Sequence, residues 1–564
     1  MGIIPKKRRF NVNNTSYEKV DADGCCSIEQ FVAGKDDFRT APLYKIPTPW
    51  PYEDRPASIA FGSVIDDIEG KIRDILRSHE IRPHRITVRA MKTKGLENTK
   101  DTLIILCFDD DPSNWKAATQ QLYEVVENAA PTLANQFRVE IRNERRMYRD
   151  TSTAIIRNTD VHQALLVVQP LVEEAVRMAC PDSWSSISYH MRGPRDQEGD
   201  RKPTVMVMIK PGTRHIWDLV EQKIDEALQS AKTPMDIAIY HELYSGYLLD
   251  LPPLFGKAEP SPYSNLPANP KNGSSIGPRG SNSTGSLGAF VYFQPEGQEV
   301  KKLCVMTCYH VICSGDPSNQ ATTDRIGIGL KGQNAPQHQR RIPIDYPSSY
   351  DTVTTRKALE ALNGPLSKEM KGTLETIKRH KHAGGIGEVI CASGRYQGAN
   401  LRRMDWALIE LKSPTLFSQN KPPVLIDPFD LRQKYLPLNR KYIATDNDVV
   451  SKVGAVTEGA WVVKTGRNLG DARDGVTAGD TNAMNALIHR DNAPSTRETV
   501  INNHVSGRQF AERGDFGSMV TNWNKEWVGI VMSGESTNDT AYMTLAQEII
   551  DDVKAKTGGT ITLP

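Results

Sequence analysis

The run Arg513-Gly514-Asp515-Phe516-Gly517-Ser518, followed by Met519-Val520, decides how the second half of this chain is read. Its frame is Gly-Asp-x-Gly-Ser, a turn that presents one side chain at x. Here x is Phe516. What that turn means depends on what the chain places upstream of it.

Two strand-like stretches precede it. Leu303-Cys-Val-Met-Thr-Cys308 leads into Tyr309-His310-Val311-Ile312, so a strand ends in Thr-x-x-His. About 95 residues later comes Met404-Asp405-Trp406-Ala407-Leu408-Ile409-Glu410-Leu411, an apolar strand headed by an aspartate. Together these motifs resemble those of the chymotrypsin/trypsin-like serine proteases (the PA clan). There the histidine is the general base, the aspartate orients it and stabilises the imidazolium, and the turn carries the nucleophile. The order His, Asp, nucleophile is that of the chymotrypsin group.

The resemblance implies a serine at position 516. Phenylalanine has no oxygen to attack a carbonyl, so His310 and Asp405 would be a preserved pair with nothing to activate. It further implies an oxyanion hole formed by the backbone N–H groups of Gly514 and Phe516. The benzyl group would project into the space meant for the substrate carbonyl. Ser518 lies two residues on, where the family has an ordinary turn-shaping residue, and is a poor substitute nucleophile. Arg513 also departs from the family, in which a small turn residue is commoner.

Other stretches extend the likeness over about residues 284–564. Val463-Lys464-Thr465-Gly466-Arg467, with Gly470 and Gly475, resembles a K-x-G-R-T-T-G-x-T-x-G hairpin of intracellular trypsin-like proteins of filamentous fungi. Trp527–Val531 and Ala541–Thr544 resemble strands lining the substrate pocket, and Gln547–Lys556 a closing C-terminal helix. Arg508, Gln509 and Ser533-Gly534-Glu535 lie near the implied pocket floor, but do not reveal a peptide preference. Ser286–Phe293 and Leu303–Cys308 around Pro295-Glu296-Gly297 form a hairpin signal. The segment 350–385 reads as a helix pair inserted between the histidine and aspartate strands.

The first half has another texture. Residues 1–58 are polar and proline-studded and read as an arm or loosely docked lead-in. From 59 to 150 and again from 151 to 250 the apolar pattern reads α-β-β-α-β, with Trp115 and Trp217 at equivalent points of the second helix. These predict two small α+β modules sharing one sheet. They contain no set of acids, histidines or cysteines with catalytic or metal-binding spacing. The predicted strands include one at Asp236–Tyr240. Residues 251–283, rich in proline and then in glycine and serine, read as a linker before the protease-like domain at 284–564.

The expected fold is therefore multidomain: duplicated α+β modules followed by an all-β chymotrypsin-like double β-barrel with a helical insertion and a C-terminal helix. Composition narrows the function. The 564 residues carry 70 Lys+Arg against 68 Asp+Glu, a net charge of +2, which gives nucleic-acid binding no support. No apolar run approaches the ~20 residues that span a bilayer. The N-terminus lacks the apolar core of a signal peptide. Its Pro5-Lys-Lys-Arg-Arg9 run reads as a solvated basic tail or a nuclear-import address, and Lys6 argues against myristoylation at Gly2. Eight cysteines without a C-x-x-C pair, and Val311 after the histidine where secreted relatives have cysteine, point to reduced thiols in cytoplasm or nucleus. No cofactor or metal is implied.

Three functions remain: a catalytically inactive pseudoprotease that binds a protein or peptide, an active intracellular serine endopeptidase with a rearranged nucleophile, or a protein whose N-terminal modules do the binding while the barrels are scaffold.

Overall fold

A computed structural model describes residues 20–42, 45–49, 52–93, 99–133, 136–147, 150–194, 198–233, 237–249, 266–329, 341–362, 364–424, 442–456, 459–467, 476–503, 509–538 and 540–564. The basic run 5–9, the prolines at 252–262, Gly470, Gly475 and Arg508 lie outside these residues.

In the first module the helices Ile59–Ser78 and Trp115–Ala129 place Phe61, Ile65, Ile72, Leu76, Leu122 and Val126 in a core against a five-stranded sheet. Those positions recur at helical spacing, so one stripe of each helix faces the sheet. Pro83–Thr93 pairs antiparallel with Lys100–Cys107, which pairs parallel with Phe137–Arg142. The second module repeats this order. Trp184–Gly193 pairs antiparallel with Lys202–Ile209, which pairs parallel with Tyr240–Ser245. Trp115 and Trp217 are the first residues of their helices, and both are buried.

Three expectations need correction. The modules do not share a sheet: the second module's sheet instead runs into the C-terminal half of the chain, where Ile187 and Ser186 pair with Leu487 and Ile488. The last strand of the second module runs from Tyr240 to Ser245 and does not include residues 237–239, while Asp236 lies outside the described residues. The described part of the lead-in, from residue 20 on, is stitched down rather than loose. Cys26–Ser27 pairs with Arg214–His215, Arg39–Thr40 with Phe137–Arg142, and Tyr52–Pro56 with Pro83–Thr93. Glu29, buried, accepts hydrogen bonds from the Gly212 amide and the Ser245 hydroxyl.

The second half holds two curled sheets. One is a closed six-stranded barrel: Thr496–Asn503, Val476–Thr481, Trp461–Thr465, Met519–Asn522, Trp527–Gly534 and Thr540–Leu545, with the last strand pairing back to the first. The other is a half-barrel containing Ser275–Pro278, Pro343–Asp345, Gly387–Ala392, Ala407–Leu411 and Lys302–Thr307. Its edges are bridged by one bent run. Leu287 exchanges hydrogen bonds with Gly273 and Ser274, while Gly288 and Ala289 bond Met306. This arrangement agrees with a chymotrypsin-like double barrel. The insertion is a helix pair, Ser349–Glu360 and Lys368–His382. The C-terminal helix Ala546–Thr557 ends at Gly558 in the left-handed region (φ +70°), and Thr560–Thr562 then adds to Phe290–Gln294.

Ser275–Pro278, inside the stretch read as linker, is a buried barrel strand. Its glycines serve close packing. A Cβ on Gly273 (φ +79°) would lie 2.5 Å from the Gly466 carbonyl oxygen, and one on Gly277 2.3 Å from that of Ser283.

Candidate active site

His310 and Asp405 come from neighbouring strands of the half-barrel. Thr307 pairs with Ala407, so the chain leaving one strand reaches His310 beside the chain that enters the other from Asp405. The Asp405 carboxylate accepts from His310 twice: Nδ1 at 2.7 Å from Oδ2, and the backbone N–H at 2.8 Å from Oδ1. The Tyr309 amide donates to the Asp405 carbonyl at 3.1 Å.

The next residue locks this geometry. Trp406 donates its amide to the Ser393 hydroxyl and accepts the Ser393 amide, and its indole N–H reaches Asp552 of the C-terminal helix at 2.7 Å. Burial disfavours the charged Asp405 carboxylate. The charge and hydrogen bond of His310, with the charges of Arg403 and Arg395, outweigh that and hold its pKa down at about 2.

Phe516 arrives from the closed barrel. Its ring lies edge-on to the His310 imidazole, centroids 5.1 Å apart at 64°. Phe516 is only 5% exposed, so it packs into the core between the barrels rather than projecting into an open cleft. That corrects the expectation from sequence: the ring's apolar area is better buried against the imidazole than left in water. His310 Nε2, which would take a nucleophile's proton, is buried with no hydrogen-bond partner among the described residues.

The turn around Phe516 is held on several sides. Gly514 (φ +101°) and Gly517 (φ +93°) both adopt left-handed backbone. A Cβ on Gly517 would sit 2.2 Å from Thr307 Oγ1, and one on Gly514 2.9 Å from the Arg467 guanidinium. Ser286 ties both flanking carbonyls, its hydroxyl to Gly514 O and its amide to Phe516 O, each at 2.9 Å. The amides of Gly514 and Phe516 themselves donate to no described residue. Ser518 is buried and donates its hydroxyl to the Asp515 carbonyl, which turns that oxygen back into its own turn.

Lys464 is the residue whose role sequence reasoning missed. The ladder pairs it with Val520, and its fully buried ammonium lies 2.8 Å from Asp515 Oδ2. Asp515 also accepts from the amides of Arg467 (2.8 Å) and Glu512 (3.1 Å). The Lys-Thr-Gly-Arg motif thus grips the turn. Gly466 is required there, because a Cβ would lie 2.1 Å from Asp515 Oδ1. Arg467 is in turn met by Asp351 of the inserted helix at 3.4 Å. Among the pocket-floor candidates, Gln509 and Ser533 are buried, and Glu535 accepts from the Tyr542 hydroxyl at 2.6 Å. No cluster of His, Cys, Asp or Glu suited to a metal occurs among the described residues.

No family model matches the chain, and no curated protein matches it in sequence. Solved structures do. A glutamic acid specific serine protease is 12% identical, with 52% of this chain and 99% of that one covered at a TM-score of 0.25. The chymotrypsin of Cellulomonas bogoriensis is 14% identical, covering 52% and 98%, TM-score 0.26. The MamO protease domain of Magnetospirillum magneticum is 14% identical, covering 49% and 93%, TM-score 0.22. Scores this low carry no argument of their own, and the fold rests on the strand ladders above.

Proposed function

We propose that this chain is a chymotrypsin-fold protein that has lost its nucleophile and acts by binding a protein or peptide partner. The observation that carries the reading is the Phe516 ring against His310: the base faces a hydrocarbon, and its Nε2 has no hydrogen-bond partner among the described residues. Ordinary acyl transfer needs an oxygen or sulfur at that place.

The endopeptidase reading would need Ser518, whose hydroxyl is committed to Asp515. The reading in which the N-terminal modules alone bind gains no support from a second module that shares its sheet with the closed barrel. An intracellular setting, as in the fungal proteins the hairpin resembles, fits the cysteines: all eight are free and seven are buried. No helix among the described residues is long and apolar enough to cross a membrane.

The test is fluorophosphonate labelling of the unaltered chain beside Phe516→Ser. Labelling of Phe516→Ser alone is expected, and it would mark an assembled site lacking only its nucleophile. Labelling of the unaltered chain would overturn the proposal.

A further inference from the structure

The strand Trp527–Gly534 is covered on one edge by Thr540–Leu545 from Gly529 to Gly534. On the other edge Met519–Asn522 stops early, and the last bonds on that side join Val531 to Gly517 and Ser518, beside Phe516. Beyond Val531 the described residues that pair with this second edge are Tyr247–Leu249. Leu248 forms an antiparallel bridge with Glu535, the Leu249 amide donates to the Gly534 carbonyl at 2.8 Å, and the Ser536 amide donates to the Tyr247 carbonyl at 3.1 Å. The Glu535 amide bonds Thr540, so by strand alternation Gly534 and Ser536 turn to the Phe516 side. Because the pairing is antiparallel, the chain from Tyr247 to Leu249 advances toward the Phe516 turn. Leu249 stands about three residues along the strand from Val531, roughly 10 Å.

The side chains fit as well as the backbone. Leu248 is fully buried among Ala486, Ile488, Val500, Met532 and Tyr542. The Ser536 hydroxyl accepts the Tyr247 amide at 3.1 Å. The Arg513 guanidinium lies 5.9 Å from the Tyr247 ring centroid, which gives a use to a residue that departs from the family's turn.

We propose that this edge is a strand-addition site for an extended peptide, filled in cis by Tyr247–Leu249. It takes an aromatic-leucine-aliphatic run, with main-chain bonds supplying affinity and the Leu248 slot supplying selectivity. The proposal rests on the reading of the chain as a peptide binder and names the peptide class for the same cleft. A peptide in trans binds only the fraction of molecules whose own segment has lifted, so apparent affinity is reduced by that fraction.

The test uses the full chain and a fluorescent peptide of residues 245–251, Ser-Gly-Tyr-Leu-Leu-Asp-Leu, followed by anisotropy. Leu249→Pro deletes the donor to Gly534, and Leu248→Asp, also in the filling segment, puts a charge where its apolar slot closes, so both leave the receiving edge unaltered. Hydrogen exchange at the Ser536 amide reports release in both. At least tenfold tighter peptide binding is expected in the released variants, and a peptide with aspartate at the Leu248 position should not bind. Release without a gain in affinity overturns the proposal. So does a Ser536 amide that stays protected in both variants, or equal binding of the aspartate peptide. Peptide binding by the unaltered chain that neither variant changes would sink self-occupation and leave the binding-protein reading standing. Labelling of Phe516→Ser tests that reading separately.

Discussion

The half-barrel side and the closed-barrel side of the site are both held tightly by hydrogen bonds and are unlike in chemistry. On the half-barrel side His310 and Asp405 keep the two hydrogen bonds that would orient a base, with Trp406 clamped behind them. On the closed-barrel side the turn keeps two left-handed glycines, the Lys464–Asp515 pair and both Ser286 bonds, yet the side chain it presents is inert. The groups retained on both sides also serve stability. Asp405 and Lys464 are buried charges whose partners cannot be removed without leaving a charge unpaired. A serine at 516 would add little to folding, whereas a phenylalanine buries an aromatic ring there. Frame and chemistry are therefore separable in this cleft.

Phe516→Ser breaks the contrast most directly. It should convert no fluorophosphonate adduct into a stoichiometric one by mass spectrometry, while costing about 3 kcal/mol in urea unfolding for the lost ring. In that background Asp405→Asn should slow labelling on the order of 10³–10⁴-fold, because the imidazole loses the group that orients it.

Without the serine, the same Asp405→Asn change should show in stability against pH. The folded pKa of Asp405, about 2, lies below the unfolded value of ~3.9, so its stabilisation is full above about pH 4 and is lost as pH falls toward 2. Denaturation midpoints of the two proteins should therefore differ by a constant amount at pH 5–7 and converge below pH 4. A gap that stays constant to pH 2 would mean that the carboxylate is not held by its partners.

Lys464→Met sharpens the comparison from the other side. Leaving Asp515 without its cation should cost about 3 kcal/mol, read as a shift in urea midpoint. It should also loosen the turn enough to slow labelling of Phe516→Ser. Ser518→Ala should have the smallest effect, about 1 kcal/mol for one buried hydrogen bond, with labelling of Phe516→Ser unchanged.

The cleft was legible wherever chemistry constrains neighbouring residues. Thr307 to His310, Asp405 with its apolar strand, and the Gly-Asp-x-Gly turn are local patterns, and local patterns survive in sequence. The role of Lys464 was not legible, since its partner is 51 residues away and only the ladder between the two strands brings them together. Ser275–Pro278 was hidden by composition: glycine and serine read as a flexible linker, but there they let backbones touch. The modules' helices were visible in their periodicity. The partner of the second module's sheet edge was not, because a three-residue strand at Ala486–Ile488 carries too short a pattern to read. Thr560–Thr562 escaped notice for the same reason.

That shared edge sets a timetable for synthesis. Ile187 waits for Leu487, which is 300 residues later by their numbering. At roughly 5–20 residues per second, the ribosome needs on the order of 15–60 s to deliver the missing strand. For that interval the nascent second module presents the part of the Trp184–Gly193 edge that Thr151–Thr153 leaves uncovered, the kind of edge that invites pairing with other chains. Chaperone demand should therefore fall during translation, before the closed barrel exists to cover it.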